Sequence, residues 1–177
     1  LPYFPEHGPT TAATFKRSIR DLQVWCSSCM VAFSGADPIG VLIGAKRPSG
    51  TLIHTIAVHP DHCRQGHGRH LLASLSSKLA ILGPPRIIAE IPETLFPACE
   101  LFRVSGYLQE ALLTDYVLPA GENPSTQDRY PNDGGQFVIP MTVDDLSANG
   151  LLRESEPQRC WRRSVETLTA RKEEVAG

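Results

Sequence analysis

Residues 56–72 read Ile-Ala-Val-His-Pro-Asp-His-Cys-Arg-Gln-Gly-His-Gly-Arg-His-Leu-Leu. A short apolar run gives way to a turn, then to a loop with two closely spaced glycines that opens directly into a helical pattern. Gly66 and Gly68 let the backbone approach a ligand with no Cβ in between. A helix beginning near Arg69 leaves its first amide N–H groups without intrahelical partners, and they point at that loop. The combination suits a phosphate or pyrophosphate, and Arg64 and Arg69 add fixed positive charge on either side.

Five of the six histidines fall between positions 54 and 70. His59-x-x-His62 and His67-x-x-His70 have spacings met in metal sites. Yet His59 and His62 flank the Pro60 turn and the other pair sits in the phosphate loop. Only Asp61 and Cys63 lie near enough to add ligands, so no metal is expected. His67 and His70 instead add positive charge beside a bound pyrophosphate as the pH falls. Of the five cysteines, Cys26 and Cys29 have redox-motif spacing. They sit ahead of a strand rather than at a helix start, and no second pair completes a zinc site. An odd, scattered set of thiols fits a reducing, cytoplasmic setting.

The elements that must position the loop follow from periodicity. Thr10 and Thr11 can cap a helix over about 12–24, with Phe15, Ile19 and Leu22 on one face. Residues 30–33, 39–45 and 52–58 read as three strands joined by turns at Ser34–Pro38 and Pro48–Gly50. A helix over 69–82 carries Leu71, Leu72, Leu75 and Leu79 at helical spacing, and Gly83-Pro-Pro85 stops it. A strand over 86–91, a short helix over 97–104 and strands over 110–118 and 136–140 follow. The last two are separated by a long loop over 119–135. The tail from Gln158 reads as a helix, with Trp161, Val165 and Leu168 one face of it. It either docks on the domain or forms a dimer contact. The fold class is therefore α/β (α+β, mixed sheet), with a domain over 1–140 and a C-terminal helical extension over 141–177.

The chain has 177 residues, 41% hydrophobic and 20% charged, enough for a single globular core. Seventeen basic and nineteen acidic side chains give a net charge of −2, which argues against nucleic acid or anionic membrane as partners. No apolar run approaches the ~20 residues of a membrane span. The opening Leu-Pro-Tyr-Phe-Pro-Glu lacks the basic and apolar regions of a signal peptide.

The run from Ile56 to Leu72 resembles the acetyl-CoA-binding motif of the GNAT superfamily of N-acetyltransferases, and the likeness extends to about residue 116. Phe102-Arg-Val-Ser-Gly106-Tyr107 resembles the family's Tyr-x-x-x-Gly-Phe segment, Ala98 its small residue four positions earlier, and Glu90 its acidic position on the second strand. The resemblance implies a cofactor lying between two splayed parallel strands, here 52–58 and 86–91. The backbone of Ile56, Ala57 and Val58 would pair with the pantetheine arm and thioester carbonyl. The amides of Arg64, Gln65, Gly66, His67, Gly68 and Arg69 would hold the pyrophosphate. Acetyl-CoA is then the co-substrate, and the partner a small-molecule or protein amine.

Three departures bear on catalysis. Cys63 stands where the family's loop begins with Gln or Arg. Leu95 replaces a common Asn. Phe102 replaces the Tyr that often protonates the leaving thiolate. Relatives that carry a Glu on the strand before the loop match Leu52 here, which cannot act as a base. Strict alternation puts His54 on the same face, where an imidazole suits a general base; it equally suits a histidine hydrogen-bonded in a half-buried strand. Tyr116 is the candidate acid, with sheet packing as its other reading. The functional expectation is an acetyl-CoA-dependent N-acetyltransferase acting by direct attack in a ternary complex. The alternative is a non-catalytic acyl-CoA-binding or regulatory module.

Overall fold

A computed structural model describes residues 11–114, 140–152 and 160–173. Tyr116, the 119–135 loop and nearly all of the 136–140 strand lie outside the described residues. Residues 110–114, read above as the start of a strand, are irregular.

Helix α1 spans Ala12–Asp21. Thr11 caps it by accepting from the Thr14 amide at 3.1 Å. It ends earlier than the sequence pattern suggests because Gln23 adopts φ 59° and Val24 bridges to Ala45. Four strands follow in sheet order: β1 (Met30–Ser34), β2 (Asp37–Arg47), β3 (Gly50–Val58) and β4 (Ile87–Ala89). The first three form an antiparallel meander, and β4 joins β3 in parallel after α2 (His67–Leu82) crosses over. Helices α3 (Phe96–Val104), α4 (Val143–Ala148) and α5 (Val165–Ala170) complete the described elements.

The sheet is covered on both faces. On one, Leu71, Leu72, Leu75 and Leu79 of α2 and Phe102 of α3 bury Leu42 and Ile53. The leucine spacing read from the sequence is thus the core stripe of α2. On the other face Leu22, Ala45, Leu52 and Trp161 form a second cluster, joined by Ile88. Trp161 is 2% exposed and lies ahead of α5 rather than within a helix from Gln158. The reason is Ser164, whose hydroxyl caps α5 by accepting from the Thr167 amide. Trp161 and α5 pack on the sheet, with Trp161 in the cluster of Leu22, Ala45 and Leu52 and Arg47 bonded to Ser164 and Thr167.

Between α1 and β1 the chain turns through Cys26–Ser28, a single 3-10 turn, and Cys29 directs its thiol at the Trp25 carbonyl 3.4 Å away. This turn packs directly on β2. A Cβ added at Gly44 would lie 2.5 Å from the Ser28 carbonyl oxygen, a backbone atom with no freedom to yield. Gly44→Ala is therefore expected to destabilise the chain by about 2 kcal/mol, read as a lowered urea midpoint with unchanged slope. A variant as stable as the parent would mean that the turn does not pack there.

Candidate active site

The parallel pair β3–β4 is short. It registers only Thr51 with Ile87, Leu52 with Ile88 and Ile53 with Ala89. Pro92 follows soon after, and β4 stops while β3 runs on to Val58. Among the described residues, no strand flanks β3 on that side from His54 to Val58. The gap expected between splayed strands opens at His54, and Ile56, Ala57 and Val58 lie along its edge. All three are half-buried.

His54 sits at an irregularity that the sequence does not reveal. Ile43 pairs with Thr55 and Gly44 with Ile53, so His54 is an extra residue in β3 with no partner position in β2. A bulge of this kind breaks the alternation of faces. Leu52 belongs to the cluster under Trp161, whereas Ile56, an even number of residues later, packs against α2. Alternation from Leu52 therefore does not carry through to Ile56. His54 stands at the switch, where β3 parts from β4, half-buried with its Nδ1 out of solvent.

Beyond Val58 the chain turns through Pro60–His62, with the His59 amide donating to the Ile39 carbonyl at 2.7 Å. Arg64 (φ 63°) and Gly66 (φ 87°) both take left-handed backbone. These bends fold the loop over the start of α2, which begins at His67, earlier than the Arg69 expected from the leucine pattern, with Gly66 as its N-cap. The Gly66 carbonyl accepts the His70 amide at 3.0 Å. Among the described residues no hydrogen bond takes up the amides of residues 64–69. They are the donors the sequence reading assigns to a pyrophosphate, and together they form a nest at a helix N-terminus.

The two glycines have different roles. A Cβ at Gly66 would touch nothing within 4 Å, so glycine is favoured there by its φ alone. A Cβ at Gly68 would lie 3.1 Å from Leu101 Cδ2. Gly68 thus lets α3 close against the first turn of α2 and does not serve the approach of a ligand from that side. The sequence motif shows two glycines alike; only the packing separates them.

Electrostatics around the loop are positive. Arg64 and Arg69 flank it, and His59, His62 and His67 form a chain of edge-on rings with centroids 5.9 and 6.1 Å apart. Arg103 chiefly, and Arg64 to a lesser degree, hold the Glu100 carboxyl below its ordinary range, which puts the Arg64 charge beside α3. No group of three or more His, Cys, Asp or Glu fit for a metal ion occurs among the described residues.

The remaining family-matched positions are also located. Phe102 is buried and meets Tyr107 edge-to-face, centroids 5.0 Å apart. The phenol has thus moved to the second aromatic of the segment, where burial raises its pKa, with Ser76 opposing. Glu90, just past β4, accepts from the Trp161 amide and lies 3.7 Å from Arg162. Its carboxylate is engaged in holding the C-terminal segment. Sequence reasoning missed that role, because nothing local to Glu90 announces a partner so far along the chain.

A sheet whose parallel pair parts beside an amide-lined loop, with helices on both faces, defines an α/β protein with a loop suited to an anionic group. Residues 2–107 match the family described as Acetyltransferase (GNAT) family. The chain belongs to the GNAT acetyltransferase family. Its fold is similar to that of an aminoglycoside acetyltransferase from an uncultured soil metagenomic sample, solved with sisomicin, at 14% identity and TM-score 0.51, covering 66% of this chain and 80% of that one. An aminoglycoside N-acetyltransferase solved with CoA is 13% identical, with TM-score 0.47 over 51% of this chain and 75% of that one. No curated protein shows significant sequence similarity to the chain. No helix among the described residues is long and apolar enough to cross a membrane.

Proposed function

We propose that the chain transfers the acetyl group of acetyl-CoA to a primary amine by direct attack within a ternary complex. The observation that carries this reading is the alignment of the open β3 edge with the nest of amides over residues 64–69. A pantetheine arm needs an extended backbone to pair with, and a pyrophosphate needs convergent N–H donors; here one strand runs from the first to the second.

In the reaction the amine nitrogen attacks the thioester carbonyl carbon. The C–N bond forms, the C–S bond breaks, the nitrogen gives up a proton and the thiolate of CoA leaves. The tetrahedral oxyanion would be held by backbone N–H near Val58. An alkylamine of pKa ~10.4 is almost wholly protonated at neutral pH, and freeing it costs about 4.6 kcal/mol, so a base is valuable. His54 is our candidate: it stands at the bulge where the gap opens and is half-buried. A thiol of pKa ~8.5 leaves tolerably without help, which fits Phe102 in place of the family's tyrosine. Tyr116 remains our candidate acid.

Replacing His54 with glutamine is expected to lower kcat/KM about a hundredfold and to flatten its acidic limb, while CoA affinity stays within about twofold. An unchanged pH profile would remove His54 as the base. The absence of a hydroxyl at Phe102 favours a second reading, a non-catalytic acyl-CoA-binding module. Such a protein would hold acetyl-CoA without consuming it when offered a panel of amines, followed by release of free thiol. The similarly folded aminoglycoside acetyltransferase solved with sisomicin makes aminoglycosides a sensible first panel, alongside peptide N-termini and lysine.

A further inference from the structure

The stretch between α1 and β1 carries a pair of thiols that the acetyl-transfer reading leaves unused. Val24 bridges to Ala45 and Met30 pairs with Leu42, so the chain runs from Trp25 to Cys29 where β2 offers only Ile43 and Gly44. The Cys26–Ser28 turn takes up the surplus, closed by the Cys29 amide donating to the Cys26 carbonyl at 3.0 Å. A 3-10 turn stacks residue i over residue i+3. Such a turn keeps the two Cα atoms within about 7 Å, the reach of a disulfide. Cys26 is exposed and Cys29 half-buried, both as free thiols.

Ile43 and Gly44 are also the residues between which the β2–β3 register shifts, leaving His54 as the extra residue of β3. Turn and bulge thus sit on opposite edges of the same two residues. The Gly44 carbonyl accepts the Trp25 amide at 3.0 Å, and the Cys29 thiol reaches the same oxygen at 3.9 Å. Ser28 is fully buried, with its carbonyl oxygen 2.5 Å from where a Gly44 Cβ would stand. Contacts this close pass a displacement of the turn on to the strand.

We propose that Cys26 and Cys29 are a reversible redox modification site whose disulfide form loosens the His54 bulge. The oxidant is a low-molecular-weight disulfide. The Cys26 thiolate attacks one of its sulfurs, and one small thiol leaves. The Cys29 thiolate then attacks Cys26 Sγ, the internal S–S bond forms and the second small thiol leaves. The proton of each protein thiol ends on a leaving thiol, so two protein thiols and one small disulfide become one protein disulfide and two small thiols. To close the bond, the Cys29 thiol turns away from the Trp25 and Gly44 carbonyls, and β2 loses that contact beside the bulge. His54 is the base in the function proposed above, and an effect on transfer rests on that reading; the site itself does not.

The Cys63→Ser chain, which removes the thiol beside the Val58 carbonyl, and its Cys26→Ser derivative test this. Both are equilibrated in glutathione buffers of rising disulfide content, alkylated and digested with trypsin. Cleavage after Arg20 and Lys46 yields one peptide holding Cys26 and Cys29 and no other cysteine. It is expected to pass from doubly alkylated to an internal disulfide, and to return on adding dithiothreitol. Hydrogen exchange over Gly50–Val58 is expected to quicken about threefold in the disulfide form, and to stay level in the Cys26→Ser derivative in the same buffers. A peptide that stays doubly alkylated, or that keeps glutathione as a mixed disulfide, overturns the site. An internal disulfide with exchange at the reduced value overturns the link to the bulge, as does a Cys26→Ser derivative that quickens equally. These readouts need no acetyl-CoA, so they stand or fall apart from the acetyl-transfer reading.

Discussion

Gly66→Glu is expected to weaken acetyl-CoA binding at least a hundredfold while leaving the chain folded. Gly66 caps α2 at φ 87°, and a Cβ built there meets no neighbour within 4 Å. The fold therefore suffers backbone strain without a clash, about 1–2 kcal/mol for a left-handed non-glycine residue. Binding suffers far more. On the proposed cofactor reading, the new carboxylate projects into the amides assigned to the pyrophosphate, competes for those donors and repels the phosphate charge. Gly66→Asn separates the two effects, because asparagine tolerates positive φ and adds no charge; it should bind within about threefold of the parent. Calorimetry on both variants reads the difference. G66E binding like the parent would place the pyrophosphate elsewhere.

Arg47→Leu is expected to cost about 3 kcal/mol of stability. Arg47 ends β2 at the hairpin opposite the cofactor loop, and its side chain is 1% exposed. Its guanidinium donates to Gln23 Oε1 at 2.7 Å, Ser164 Oγ at 2.6 Å and Thr167 Oγ1 at 2.7 Å. It also lies 4.0 Å above the Trp161 ring and 3.7 Å from Glu166. This one group ties α1's exit, the sheet and the C-terminal segment together. Three hydrogen bonds from a charged donor are lost together, each worth ~1.5–3 kcal/mol, and the net cost is smaller than their sum because leucine recovers some apolar contact and Ser164 and Thr167 keep other partners. Lysine should not rescue fully, since one ammonium cannot address three fixed directions. Urea denaturation reads the loss. CoA affinity below the melting transition should be unchanged, as Arg47 and the loop lie at opposite ends of β3. A loss under 1 kcal/mol would mean the C-terminal segment does not dock as described.

What could be read from the sequence was local. Leu71, Leu72, Leu75 and Leu79 of α2 repeat on a helical period and are core. Thr11 caps α1 as a threonine before an amphipathic run should. The loop over 64–69 declares itself because its glycine spacing, flanking strand and following helix lie within one short stretch. What escaped was set by distant pairing. The bulge at His54 exists only against β2, where Ile43 and Gly44 face Thr55 and Ile53. No pattern within β3 distinguishes it from a regular strand, so alternation from Leu52 cannot be carried through His54. Gly68 reads as a ligand-facing glycine until Leu101, on a helix formed 33 residues later by sequence number, is found against it. Glu90 and Arg47 find Trp161, Ser164 and Thr167 from across the chain, and charge patterning gives no hint of which acid or base will be claimed.

The most direct measurement is a calorimetric titration of the parent chain with acetyl-CoA and free CoA. Micromolar binding of both, one site per chain, is the predicted result. Neither ligand binding at millimolar concentration would contradict the cofactor site and leave the chain a GNAT fold without the cofactor chemistry.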